Sequence, residues 1–197
     1  IGSFYVTYDD GAELRTLSTT GSLSATIGSP GVRSWGMAYR SSDSTLYAFD
    51  KDNSDLVTIS PNDGTVTTIG STGVVGSGDI GGHLINFNNV TYGGGRVRDS
   101  SFNSLGRFGT FDSDGSFQEI TTNALYEDMV LATDGVSIYG LTWTNGAQAL
   151  YSISPSGGVT FLRSITNAPG NTTFFEGAGM VTAVPEPASV ALAAIGI

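Results

Sequence analysis

From Trp35 to Gly70 the chain alternates short apolar runs with polar breaks, WGMAYRSSDSTLYAFDKDNSDLVTISPNDGTVTTIG. Val, Ile, Thr, Tyr and Phe recur within the runs, and Asp, Asn, Ser and Gly cluster between them. This is the pattern of strands joined by hairpins. It predicts four strands, Trp35–Tyr39, Leu46–Phe49, Leu56–Ser60 and Thr65–Ile69, with turns at Ser41–Asp43, Lys51–Asp55 and Pro61–Gly64. Helical periodicity is absent except in an apolar run at the extreme C-terminus.

The unit recurs. Tyr5, Tyr47, Tyr92 and Tyr139 mark the second strand at intervals of 42, 45 and 47 residues. Gly21, Gly64, Gly115 and Gly157 mark the turn between third and fourth strands at intervals of 43, 51 and 42. Met37, Leu84, Met129 and Met180 mark the first strand. Asp10-Gly11, Asp63-Gly64, Asp114-Gly115 and Asn145-Gly146 are tight-turn pairs in which glycine accepts a positive φ. The tyrosines are expected in the core of their units. The third unit is the least regular, and Gly93–Gly95 with Arg96–Ser104 is expected to lengthen its turn as a floppy hairpin or a ligand-contacting loop.

Four-stranded units repeating every 40–50 residues are the signature of a β-propeller. The expected fold is all-β, a small propeller of four blades of about 45 residues over residues 1–183. The chain opens at a second strand, Phe4–Tyr8, and its repeats end at a first strand, Met180–Ala183. The C-terminal strand is therefore expected to complete the first blade and remove the open sheet edges. A fragment of a larger propeller, a sandwich and an irregular β-solenoid are the other arrangements compatible with the pattern.

Composition narrows the function. Charged residues are 13% of the 197, and the net charge is −10. An acidic surface repels nucleic acid and anionic lipid. There are no cysteines, which excludes disulfides and thiolate metal sites. Ile1 lies close to the first strand without a leader, and a processed or truncated N-terminus is expected.

After Ala183 the sequence becomes VPEPASVALAAIGI. The triplet Pro185-Glu186-Pro187 followed by an uncharged apolar run resembles the PEP-CTERM sorting signal of Gram-negative bacteria. That resemblance implies processing by an exosortase-type enzyme and display at the cell surface or in an extracellular matrix, often beside exopolysaccharide. The upstream repeats also look like propeller-like domains found ahead of this signal, with LVTISPNDGTVTTIG as the shared phrase. Ten residues follow Pro187, against about 20 for a membrane span, and no basic cluster follows. The signal is expected to continue beyond residues 184–197. The other reading of the tail is a proline-punctuated linker with a short apolar helix packed on the domain.

Candidate chemistry is sparse. His83 is the sole histidine. It lies near no G-x-S-x-G elbow, so a hydrogen-bonded or solvated loop histidine is expected rather than a triad member. One histidine excludes a multi-His zinc site. Asp50, Asp52 and Asp55 loosely resemble a calcium loop but lack its Gly and terminal Glu, and they fall where an acidic hairpin turn is expected. No other cofactor is expected. Aligning the connectors ahead of each first strand brings out Arg33 and Trp35, then Asp79 and His83, then Tyr126, Glu127 and Asp128, then Phe174, Phe175 and Glu176. In a closed ring these would converge on one mouth. There the acids and Arg33 would bind a cation or hydroxyls, and the aromatics would stack on sugars. The alternative is that the aromatics pack between blades and the acids are solvated.

Two functions follow. The first is a non-catalytic surface or matrix protein that associates with polysaccharide or with copies of itself. The second is a glycan-acting hydrolase using Asp79, Glu127, Asp128 or Glu176, which would need two acids about 5–10 Å apart.

Overall fold

The computed structural model describes residues 3–8, 13–18, 20–34, 36–74, 83–98, 104–144 and 147–165. These residues form four antiparallel sheets in sequence order, one two-stranded and three four-stranded. Unit 1 holds β1 (Ser3–Tyr8) and β2 (Glu13–Ser18). The segment Leu23–Gly28 runs beside β2 through the bridges Leu17–Leu23 and Leu14–Gly28. Unit 2 is β3 (Met37–Arg40), β4 (Thr45–Asp50), β5 (Asp55–Ile59) and β6 (Val66–Ser71). Unit 3 is β7 (His83–Phe87), β8 (Val90–Arg98), β9 (Ser104–Phe111) and β10 (Phe117–Thr122). A 3-10 turn, Ala124–Asp128, leads into unit 4, which is β11 (Met129–Thr133), β12 (Ile138–Thr144), β13 (Ala147–Ile153) and β14 (Val159–Ser164).

Every strand in units 2–4 pairs with its sequence neighbours, so each unit is an up-and-down meander. The predicted strands of unit 2 lie within two residues of the observed ones. The fourth strands share an irregularity. In each, one aliphatic residue is extra to the ladder, Ile69 in β6, Ile120 in β10 and Leu162 in β14. Such a bulge adds local twist and turns its side chain away from the regular alternation.

The core is a set of layers between units. Leu14, Tyr5 and Ile27 of unit 1 pack with Leu46, Ala48, Val57 and Ile59 of unit 2. Tyr47, Phe49, Leu56 and Ile69 of unit 2 pack with Leu84, Phe111 and Phe117 of unit 3. Ile85, Phe87, Tyr92 and Phe108 of unit 3 pack with Tyr126, Met129, Leu131, Ile138 and Ile153 of unit 4. Units 2 and 3 thus bury both faces, alternate positions along each strand turning opposite ways, as the strand period requires.

Backbone contacts lock the same layers. A side chain at Gly28 would strike the Asp63 carbonyl, and one at Gly70 would strike the Asp114 carbonyl. These glycines let the turn of one unit lie on the fourth strand of the unit before it.

Three expectations change. Gly93–Gly95 do not form a turn; they sit inside β8, paired with β9. A Cβ on Gly94 would lie 3.2 Å from Leu131 Cδ1, so close approach to unit 4 accounts for the absence of a side chain there. Tyr47 and Tyr92 are buried as expected, whereas Tyr5 and Tyr139 are only half-buried. Closure is not made by the described residues. No strand pairing and no core cluster among them joins unit 1 to unit 4. Met180–Ala183, assigned to closing the first blade, lies outside the described residues, as do Asp10-Gly11 and Asn145-Gly146.

Candidate functional site

In such meanders the connectors between units share one end with the turns between second and third strands. Arg33 precedes β3, His83 opens β7 and Glu127 precedes β11, so the topology places all three at that end. Trp35, Asp79, Phe174, Phe175 and Glu176 lie outside the described residues, as do the side chain of Asp128 and the triplet Pro185–Pro187.

The charged members are held by partners. Arg33 Nη1 lies 3.1 Å from Asp52 Oδ1, and its carbonyl accepts the Lys51 N–H at 3.1 Å. The connector is thereby tied to the β4–β5 turn. That turn is closed by Asp50. One of its oxygens accepts the Asp52 and Asn53 N–H groups at 3.0 and 3.4 Å, and the other accepts Asn53 Nδ2 at 2.7 Å. Asp55 begins β5 directly opposite Asp50. Among the described residues no group of three or more acids or histidines is placed to hold an ion. Asp50, Asp52 and Asp55 thus lie on an acidic hairpin turn in which Asp50 accepts turn N–H donors and Asp52 meets Arg33.

Glu127 Oε1 lies 3.0 Å from Arg96 Nε. Arg96 belongs to β8, opposite Gly106 of β9, and Arg107, the next residue of β9, turns to the other face and lies 3.1 Å from Glu119 Oε2. Arg96 opens the segment expected to form a floppy hairpin or a ligand-contacting loop, and Arg107 lies just beyond it. The signal for them was the unusual length of β8 and β9, which carries the hairpin past the sheet edge. The 3-10 turn that presents Glu127 rests on Gly106. The Asn123 N–H donates to the Gly106 carbonyl at 2.9 Å, and any side chain at Gly106 would strike the backbone of Asn123, Tyr126 and Glu127. Glu127 faces a guanidinium here rather than a second carboxylate.

Tyr126 corrects the expectation of an aromatic platform. It is fully buried. Its ring stacks on Phe108 at 5.0 Å, and Phe108 stacks on Tyr92 at 5.5 Å. Its hydroxyl donates to the Gly157 carbonyl at 3.2 Å, and desolvation pushes its pKa up. Tyr126 is a wedge between units 3 and 4. His83 is part of β7 rather than a loop, opposite Gly94, and half-buried. Desolvation pulls its pKa down to about 4, so the imidazole is neutral at pH 7.

The opposite end carries an open groove of about 400 Å³ between units 3 and 4. Phe87, Val136, Ile138, Pro155 and Val159 supply apolar walls, and Ser137 and Ser154 stand among them. Among the described residues no charged side chain lines it. No local pattern announces this groove, because its lining comes from three separate turns.

No protein-family model and no curated protein matches the chain. Solved structures do. A chain of the nidogen/laminin complex is 12% identical with a TM-score of 0.51, over 74% of this chain and 53% of that one. A catalytically inactive virginiamycin B lyase from Staphylococcus aureus, solved with quinupristin, is 14% identical with a TM-score of 0.50, over 81% and 51%. A structural-genomics protein of unknown function from Bacteroides thetaiotaomicron is 18% identical with a TM-score of 0.54, over 81% and 40%. The chain spans about half the length of these neighbours, or less. At such identities the likeness carries the fold and not the chemistry: the chain is an all-β, propeller-like array of antiparallel sheets.

Proposed function

We propose that this chain is a non-catalytic module of the cell surface or extracellular matrix of a Gram-negative bacterium. Its repeats form a four-bladed propeller-like body, and Pro185-Glu186-Pro187 is the address read by an exosortase-type enzyme. Its role is structural or binding, in association with extracellular polysaccharide or with copies of itself. The observation that carries this reading is the pairing of the connector-end charges. Arg33 is held by Asp52, Arg96 by Glu127 and Arg107 by Glu119. Charges engaged in this way are not poised as a general acid and base, which require separated pKa values and an open approach. The neutral groove, with apolar walls and Ser137 and Ser154 among them, suits an uncharged ligand such as a neutral glycan.

The test is a glycan-binding array run beside a hydrolysis panel of glycans and esters, using the full chain. Binding without turnover is expected, with binding lost in Val159→Trp, which fills the groove. Turnover that disappears in Glu127→Gln while the fold is retained would establish the hydrolase instead. Export is tested separately. Replacing Glu186 by Ala is expected to retain the protein in the cell fraction, and unchanged release would remove the sorting assignment.

A further inference from the structure

We infer that the groove between units 3 and 4 continues onto Phe161 and Tyr151, and that its ligand is an extended neutral glycan chain with a sugar ring stacked on Phe161. The repeat sets Phe161 apart. In each four-stranded unit one residue of the fourth strand pairs just before the bulge: Thr68 opposite Val57, Glu119 opposite Gly109 and Phe161 opposite Tyr151. All three are exposed. Units 2 and 3 fill this place with a threonine and with a carboxylate that meets Arg107. Unit 4 fills it with a phenylalanine that is 56% exposed. A large apolar ring at a solvent position of the repeat is the kind of local departure that marks a functional residue.

Phe161 is held as a platform. Its ring meets the Tyr151 ring in a T-shaped contact, centroids 5.8 Å apart and planes at 76°, which orients it while more than half of the residue stays open. Pairing is regular from Val159 to Phe161, so these two side chains share one face of β14 and stand roughly 7 Å apart along it. Val159 lines the groove, and Val159 and Tyr151 pack on the layer between units 3 and 4. The platform therefore lies on the side of unit 4 that faces unit 3 and prolongs the groove along β14. Arg163, past the bulge, pairs with Leu150 and belongs to the other face.

Charge and shape select the ligand. Apolar walls and an open aromatic ring match the C–H faces of sugars. Among the described residues no charged side chain lines the groove, and a net charge of −10 repels acidic polysaccharide. A ligand that fills the groove and also covers Phe161 is a chain rather than a single sugar. The inference rests on the groove being a glycan site, as proposed above, and adds the length of the ligand and its second contact.

Isothermal titration of the full chain with mono- to hexasaccharide fragments of dextran, galactomannan and mixed-linkage β-glucan tests it, beside affinity electrophoresis in the parent polysaccharides. The variants are Phe161→Thr, which makes unit 4 match unit 2, Phe161→Tyr, which keeps a ring, and Val159→Trp, which fills the groove. Circular dichroism checks that each keeps the wild-type fold, and Phe161→Gln replaces Phe161→Thr if that variant does not. The wild type is expected to bind at least one series more tightly as the chain lengthens. Phe161→Thr is expected to bind the hexasaccharide and the polymer about tenfold more weakly, to leave the shortest bound fragment unchanged, and to be rescued by Phe161→Tyr. A Phe161→Thr variant that matches the wild type at every length overturns the inference, and leaves the groove as the site if Val159→Trp still abolishes binding. Equal weakening at every length overturns it too, because a short ligand in the groove does not reach the ring. A wild type that binds no neutral glycan removes both the inference and the reading beneath it. Sedimentation velocity at the same concentrations covers the remaining occupant: self-association of the wild type that is lost in Phe161→Thr assigns the ring to a second copy and sinks the glycan platform.

Discussion

Truncating Phe108 to Ala tests whether the layers between units hold the array together. Phe108 belongs to unit 3, is 0% exposed, and has both ring faces covered, one by Tyr92 at 5.5 Å and the other by Tyr126 at 5.0 Å. Removing a buried Phe side chain costs about 3–5 kcal/mol, through lost transfer energy and the cavity left behind. Two stacked neighbours that lose a partner place this site at the upper end, since aromatic pairs contribute roughly 0.5–1.5 kcal/mol beyond burial. Tyr126 is anchored by its bond to Gly157 and cannot readily collapse into the space. We expect a loss of about 4 kcal/mol, most of the margin of a domain whose total stability is about 5–15 kcal/mol. The melting temperature should fall by roughly 8–16 °C. Phe108→Leu fills much of the volume without the stacking and should lose about half as much. Urea titration followed by near-UV circular dichroism reads both. A loss below about 1.5 kcal/mol for Phe108→Ala, with an unchanged denaturant slope, would refute the view that this layer couples units 3 and 4.

Further expectations concern turns and protons. Gly70→Ala places a methyl against the Asp114 carbonyl and should destabilise by about 2 kcal/mol or more, whereas Gly21→Ala, in open space at φ +83°, should cost only about 1 kcal/mol, as thermal melts would show. His83 is held near pKa 4 by burial, so the unfolded chain takes up a proton between pH 6.5 and 4 that the folded chain refuses. Stability should therefore fall as pH drops through that window and flatten in His83→Gln, and an imidazole titrating near 6.5 by NMR would contradict this. Asp63, Asp114 and Asp134 are held below the ordinary carboxylate range by bonds to turn donors, the Thr65 N–H, the Ser116 hydroxyl and the Ser137 N–H foremost. Their contribution is present above about pH 4 and lost as pH falls through the lowered values, so Asp134→Asn should give a shallower acid limb in a stability–pH profile. The exposed pair Arg33–Asp52 should contribute less than about 1 kcal/mol in a double-mutant cycle.

The sequence by itself determined the strands of unit 2, the recurrence of the unit and the turns at Gly64, Gly115 and Gly157. Alternation along Leu46–Ile59 assigns both faces of a strand, and a positive-φ Gly at Gly64 or Gly115 ends a hairpin, because both are consequences of local geometry. The acidic turn at Asp50–Asp55 was legible for the same reason. The nature of the connector end was not. Tyr126 reads equally as a platform at the mouth or as packing between units, and only the packing of Phe108 beneath it and Gly106 beside it decides for the second. Gly93–Gly95 read as a break because glycine is a poor strand former, yet the approach of Leu131 selects it. Arg96 and Glu127 lie 31 positions apart in the chain, and no local pattern announces that they meet. Whether an apolar face is core or surface was decided by the tertiary structure alone. Leu46 and Phe4, or Phe49 and Leu141, occupy the same place in their repeats, yet the first of each pair is sealed by a neighbouring sheet and the second is half-buried, because burial is a property of the partner sheet and not of the strand that carries the residue.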